Sequence, residues 1–507
     1  MNMRSIYSIA LGIAIAMVWS VQIGYTQAPF QCGTSITDLR AIKAQMLANR
    51  EAMHDMVFPR SVTYVPIRFW RVGKSDGTGK ISERIVLDAL CTLNQNYADQ
   101  NIQFYLKEIK DVHNTSVYEN PGSFAGAAAI KDLMIYNAIN IFITNDAGDG
   151  AAAYWQGPAG NTFNSNDWIV CAKSYLGDIR VLTHELGHFF SIPHPFHGWE
   201  SEAWDPNIHG NPVGLYAPDG QTLNEYADGS NCQTAGDGIC DTPADYLHPS
   251  NNCTYSANAM DPSGQPISPD PQLYMNYHFG CDSYYFSDEQ KANIQNSLFS
   301  STRNYVRPNY VPNTTEITDA PVLIAPIDNE EVPGYTNIIL EWDPVPGADM
   351  YLVEIDRFQT FTVLPQRFIT STNSLLIDEL QPNKKYYWRV RPFNEYYTCT
   401  DFSAPESFYT GNVVAVREIE AVKEWAVVPN PTNGQSFVRL SITASSPFDA
   451  YLSLVSLTGQ SAWRQAEQHF PTGNTTISIP IDNLPAGIYN LVIQSTRGVL
   501  TKRIVVQ

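Results

Sequence analysis

Positive charge is scarce in this 507-residue chain: 31 Lys and Arg stand against 51 Asp and Glu, a formal net charge of -20. Binding to a polyanion starts with Lys and Arg displacing condensed counterions, so nucleic acid is excluded as a partner. Long apolar runs are also lacking, with one exception. Behind Arg4, residues 6–23 carry no charge and lead into the small and polar Gly24-Tyr25-Thr26-Gln27-Ala28. A basic start, an apolar middle and a small-residue end describe an export signal over residues 1–27; the competing reading is a membrane-spanning helix, since the run is near spanning length. No later stretch is long and apolar enough to span a bilayer, so the mature chain is expected not to cross a membrane. Cysteine is sparse too, eight in all, too few for a scaffold built on disulfides, although an exported chain can form some.

What is present is globular material, with ten Trp and 28 Tyr, in a chain too long for one hydrophobic core. Residues 28–59 form a short leader in which Ile36, Leu39, Ile42, Met46 and Met53 recur at roughly helical spacing. From residue 60 to 305, β-branched and aromatic runs (VTYVPIRFWRV, IQFYLKEIKDV, INIFITN, DWIVCAKSYL) alternate with helical patterns such as residues 81–97. That alternation predicts an α/β domain. A stretch rich in Pro, Asn and Thr, residues 306–320, reads as a linker. Residues 321–411 and 425–507 each break into short strands between turn signals, as in all-β sandwiches.

The chemistry concentrates in Thr183-HELGHFFSIPH. Ile179, Leu182, Leu186 and Phe189 fall on one stripe of a helix. His184 and His188 are then one turn apart on one face, a spacing at which two imidazoles reach one zinc ion. Glu185 lies out of line for ligation but within reach of a water at the metal. Pro193 ends the helix and turns the chain, which can bring His194 back as third ligand; His197 is the rival on the same spacing. Three histidines leave one position open, as a catalytic zinc site requires.

HExxHxxxxxH resembles the zinc signature of metzincins, and two further stretches narrow the resemblance to the pappalysins: GDGICDTPAD at 236–245 and LYMNYHFGCDSYYFSDEQ at 273–290. The likeness covers residues 60–305. It implies a secreted zinc endopeptidase acting on protein or peptide substrates, a twisted mixed sheet beside the active-site helix, Met275 beneath the metal in a Met-turn, and Tyr277 steadying the oxyanion. The other reading of Tyr277 is a core tyrosine. Metzincins usually carry Gly where Ser191 stands, so Ser191 must adopt a left-handed backbone angle or turn differently. Substrate is expected along an edge strand in GAAAYWQ, residues 150–156. Gly280 stands where pappalysins preferring basic residues carry an acid, so no basic preference is assumed.

In the same family a structural calcium lies near the loop that here holds Asp237, Asp241, Thr242 and Asp245; ordinary capping and turn use of these residues is the alternative. Cys32-Gly33-Thr34 resembles the leader of pappalysin zymogens, where a thiolate fills the open zinc position; a disulfide from Cys32 to Cys91 is the alternative. Cys232, Cys240, Cys253 and Cys281 allow three pairings, of which Cys232–Cys240 with Cys253–Cys281 is expected. Trp342 and Tyr387-Trp388-Arg389-Val390 place residues 321–411 near fibronectin type III domains, and this domain is expected to act as a spacer. VVPNPTNG, a Leu-Thr-Gly turn, LPAGIYNLVI and a last strand holding Lys502 resemble the C-terminal sorting domain read by the type IX secretion machinery of Bacteroidetes. Against the peptidase stands a non-catalytic surface adhesion protein with a structural zinc site, for which Glu185 would have no use.

Overall fold

The computed structural model describes residues 31–157, 167–363, 365–413, 419–432, 434–456, 461–495 and 498–507. The export signal and the Leu457-Thr458-Gly459 turn lie outside them. Among the described residues no helix is long and apolar enough to cross a membrane.

The unbroken apolar runs of the first domain become buried strands: β1 (Thr63–Gly73), β2 (Ile102–His113), β3 (Ile139–Thr144), β4 (Ala153–Gln156) and β5 (Trp168–Ala172). They order as β2-β1-β3-β5-β4, all parallel except β4, which runs antiparallel to β5 and forms one edge. Strands buried on both faces carry continuous hydrophobics. One face is covered by α2 (Glu83–Asn96) and by α5 (Val181–Phe189); the other is closed by α3 (Thr115–Glu119) and α4 (Phe124–Leu133), which pack with Trp70, Phe142 and Trp168. A short α6 (Pro206–His209) and α7 (Asp288–Phe299) complete the unit. A capping box, Ser287 with Gln290, starts α7.

Two further segments are docked on this domain. The N-terminal helix α1 (Ile36–Ala52) buries Leu39, Ile42 and Met46 in the same core, and Arg50 Nε donates to Asn293 Oδ1 of α7 at 3.3 Å. The sandwich over residues 323–413 has a five-stranded and a three-stranded sheet, with Trp342 and Trp388 fully buried between them, ring centroids 6.4 Å apart.

That sandwich is joined more firmly than a spacer would be. Cys399 is disulfide-bonded to Cys91 of α2, which removes the expected alternative of a Cys32–Cys91 bridge. Arg391 pairs with Asp88 at 2.6 Å, and Glu395 O accepts from Leu106 N on the edge strand β2 at 2.7 Å. Leu352 and Phe393 belong to the first domain's own hydrophobic core. The last domain is a second sandwich, of three and four strands, with its own core around Leu440, Leu452 and Leu491. The architecture is thus an α/β unit built on a mixed sheet, followed by two all-β sandwiches.

Candidate metal centre

Helix α5 and the turn after it build the site. Its C-terminus closes as a Schellman motif: Ile192 N donates to Gly187 O at 2.9 Å and Ser191 N to His188 O at 2.8 Å. Ser191 takes the left-handed angle, φ 67°, and its hydroxyl lies 3.2 Å from Ser297 Oγ of α7, which anchors a residue that glycine would otherwise serve. The reversal carries His194 back beside His184 and His188.

All three imidazoles are fully buried, and each outer nitrogen is held by an acceptor. His184 Nδ1 meets Tyr274 O and His188 Nδ1 meets Ile192 O, both at 2.8 Å; His194 Nδ1 faces Glu200 Oε1 at 3.4 Å. A carbonyl or carboxylate only accepts, so each Nδ1 carries the proton and each Nε2 presents a lone pair. These inner nitrogens converge, with His194 Nε2 lying 3.2 Å from that of His184 and 3.1 Å from that of His188. Lone pairs facing one another repel unless a cation lies among them. Nitrogens bound at about 2.0–2.1 Å to tetrahedral zinc stand about 3.3 Å apart, so the donor set fits zinc. Burial, then mutual repulsion, holds His184 and His188 well below the usual imidazole pKa, in the neutral form a metal needs.

Cys32 completes the cluster. Its Sγ and the three histidine donor atoms all lie within 4.8 Å of one another, the only such group of His, Cys, Asp or Glu among the described residues. The thiol is also 3.8 Å from Glu185 Oε2. Burial, with the neighbouring Glu185 carboxylate, pushes the thiol's pKa up, so a thiolate there requires a cation beside it. The chain around Cys32 lies along β4 in parallel: Gly33 N donates to Ala153 O at 2.8 Å, Ala152 N to Gln31 O at 2.9 Å, and Trp155 N to Thr34 Oγ1 at 3.0 Å. The strand expected to receive substrate is therefore covered by the chain's own N-terminal segment.

Glu185 is fully buried, and its Oε1 makes no hydrogen bond among the described residues. Burial raises its pKa to about 8, a range suited to proton transfer near neutrality. Tyr277 packs at 5.1 Å from His194 and 6.0 Å from His184, ring to ring, with its phenol against the backbone of Cys32. Met275 lies under α5 so closely that a Cβ on Gly187 would come within 2.3 Å of its sulfur.

Several residues behave differently from expectation, or were not anticipated. His197 does not join the cluster; its Nδ1 lies 3.3 Å from Glu200. Glu200 itself was missed: it orients His194, and although burial alone would raise its pKa, the neighbouring His194 and His197 hold it well below the usual carboxylate range. Asp241 caps the start of α7, accepting from Ser287 Oγ at 2.6 Å and Glu289 N at 2.8 Å. Asp237 and Thr242 are bonded to each other at 2.9 Å, and a second buried carboxylate, Glu225, faces Asp237 with Oε2 lacking a partner among the described residues. Asp245 accepts from Leu247 N. Cys232 pairs with Cys240 and Cys253 with Cys281. Gly280 has φ 72° with Asn251 O 2.8 Å from where a Cβ would be, so an acid is not accommodated there on this backbone.

Comparison with known proteins adds a second address to this geometry. Residues 426–507 match the family model for a secretion system C-terminal sorting domain, and the protein is accordingly secreted or attached to the cell surface. The chain is similar to an extracellular metalloprotease of Neurospora crassa, 29% identical over 188 residues, which is 34% of this chain and 65% of that protein. An extracellular metalloprotease of Colletotrichum graminicola is 24% identical over 58% of this chain and 96% of its own. Among solved structures, a promirolysin mutant of Tannerella forsythia matches with a TM-score of 0.37 and 17% identity, covering 55% of this chain and 97% of that one.

Proposed function

We propose that the chain is a zinc-dependent endopeptidase, exported as a latent form in which its N-terminal segment occupies the active-site cleft. The observation that carries the reading is the convergence of three buried, inward-facing imidazole nitrogens with Cys32 Sγ beside them and Glu185 at the edge. His184, His188 and His194 would hold the zinc, and Cys32 its remaining position until the leader is removed. Bound there, zinc supplies Lewis acidity, lowering the pKa of water toward neutrality and polarising a carbonyl. Glu185 takes the proton released as water adds to the peptide carbonyl, and returns it to the departing amine nitrogen. Tyr277, freed from the Cys32 backbone, donates its phenol proton in a hydrogen bond to the developing oxyanion. The outward backbone groups of β4, now engaged by residues 31–34, hold the substrate chain.

A structural calcium also belongs to this proposal. Glu225 and Asp237, two adjacent buried carboxylates, with the Thr242 hydroxyl form a hard-oxygen donor set, and Glu225 Oε2 accepts no hydrogen bond among the described residues.

The test is hydrolysis of an unfolded protein by the full chain cut within the exposed segment 53–61, beside Glu185→Ala. Cleavage by the parent that a chelator abolishes, and a loss of about 10²–10⁴-fold in the variant, is expected. Equal activity in the two would overturn the assignment of Glu185.

A further inference from the structure

The substrate strand and the metal helix lie on different elements, yet hydrolysis needs a fixed distance between them. Asp167, just before β5, bridges the two. Its Oδ1 accepts from the Trp155 indole nitrogen of β4 at 2.9 Å, and its Oδ2 takes Arg303 Nη1 at 2.5 Å and the Tyr305 hydroxyl at 2.7 Å. Arg303 continues the tie: Nε donates to Phe189 O at 3.0 Å, Nη2 donates to the same oxygen, and the guanidinium lies 4.0 Å from the Phe189 ring centroid. Phe189 follows His188 directly, and its carbonyl is among the last of α5, with no partner inside the helix. Both members of the ion pair are buried, side chains 3% and 4% exposed. Breaking such a pair by removing one partner leaves an uncompensated buried charge, so the two groups hold each other in place.

Trp155 is the pivot. Its backbone N–H and C=O contact Thr34, two residues from the thiol at the metal cluster, while its indole is clamped to Asp167. The groups that grip an extended chain are thereby referred to the end of the helix that carries His188.

We propose that Asp167, acting through Trp155 and Arg303, is a positioning residue that sets the scissile carbonyl over the metal. The inference rests on the peptidase reading. Loosening the tie leaves peptide binding to β4 largely intact but misplaces the reacting carbonyl, and displacements near 1 Å cost about 10²-fold in rate. The signature is a fall in kcat with little change in KM.

The experiment compares Asp167→Asn, Trp155→Phe and Tyr305→Phe with the parent, each as the full chain cut within 53–61, with kcat taken per zinc-loaded molecule. Trp155→Phe keeps an aromatic ring on β4 and removes the indole N–H together with part of the buried ring, and because it leaves Asp167 with its charge it reports even if Asp167→Asn folds poorly. A fall in kcat of about 10–100-fold is expected for Asp167→Asn and Trp155→Phe, at unchanged zinc content and near-constant KM. Tyr305→Phe, which leaves the strand-to-helix tie in place, retains kcat within about threefold. A parent that cleaves beside Asp167→Asn and Trp155→Phe variants with the same kcat, altered only in melting temperature, would overturn this inference; a parent that does not cleave would instead sink the peptidase reading.

Discussion

The two segments docked on the catalytic domain are held by opposite means. The N-terminal segment rests on a short parallel bridge to β4, the apolar face of α1 and polar contacts: Lys43 Nζ to Gly236 O at 2.6 Å, Arg40 to Asp219 at 3.5 Å, and Gln156 to Asp38 at 3.2 Å. No disulfide ties it. The first sandwich is closed by Cys91–Cys399 across 308 residues, with buried apolar residues shared between the two domains. Once the chain is cut, contacts of the first kind are expected to be reversible, because nothing covalent holds them and Asp38, Lys43 and Arg40 regain water outside; contacts of the second kind stay tied through Cys91–Cys399. The comparison separates a plug from a structural partner.

The largest effects are expected at the first sandwich and its covalent tie. Replacing both Cys91 and Cys399 by serine removes a closure spanning 308 residues, a change on the order of 3–5 kcal/mol, read as a lower urea midpoint for the catalytic domain. Deletion of residues 321–411 should cost more still, leaving the edge strand β2 uncovered and the domain prone to aggregate. A deletion variant as stable as the parent would restore the spacer.

At the plug, Cys32→Ser should leave the fold standing but allow the uncut chain to hydrolyse an unfolded protein at a measurable rate. Lys43→Met should speed release of the cut leader by about tenfold in gel filtration. Two buried carboxylates, Glu225 and Asp237, raised by burial to about 8 and about 7, would lose their nearest cation.

A pH dependence follows from Asp38. Burial raises its pKa in the docked leader, and the hydrogen bonds it accepts from Ser35 and Gln156 offset that only in part. A carboxyl whose docked pKa lies above its free value favours docking at low pH, and this contribution is lost as pH rises from the ordinary Asp range through the docked pKa. The cut leader should therefore dissociate faster as pH increases over that window, and Asp38→Asn should flatten the profile. Identical profiles for both would contradict the role of Asp38.

The smallest effect is at Ser191. Glycine there relieves the left-handed angle but leaves the buried Ser297 hydroxyl without Ser191 Oγ. These effects oppose each other at about 1 kcal/mol apiece, so Ser191→Gly should shift the melting temperature by only a few degrees.

The parts of this arrangement legible in the sequence were local. His184, His188 and Glu185 follow from helical spacing, and the return of His194 follows from a helix stopped at Pro193. The strands of the α/β unit stood out because a sheet buried on both faces leaves unbroken apolar runs. Glu200 was hidden: it lies in an irregular loop, where no periodicity marks which side chain turns inward. Cys91 and Cys399 could not be paired from sequence because a tertiary contact across 308 residues leaves no local trace. The linker at 306–320 suggested independence for the sandwich, and polar composition does not register that Leu352 and Phe393 return to pack on the first core. Asp241 offered the same oxygens to a cation or to the start of α7, and only the fold decided for the helix.

The central claim is that residues 31–52 plug a competent peptidase site. Hydrolysis of an unfolded protein by one preparation of the full chain, followed before and after a single cut within 53–61 and separation of the leader, tests it most directly. The account predicts almost no turnover before the cut and chelator-sensitive turnover after it, absent from Glu185→Ala at both stages. Equal turnover before and after, with Cys32 intact, would contradict it.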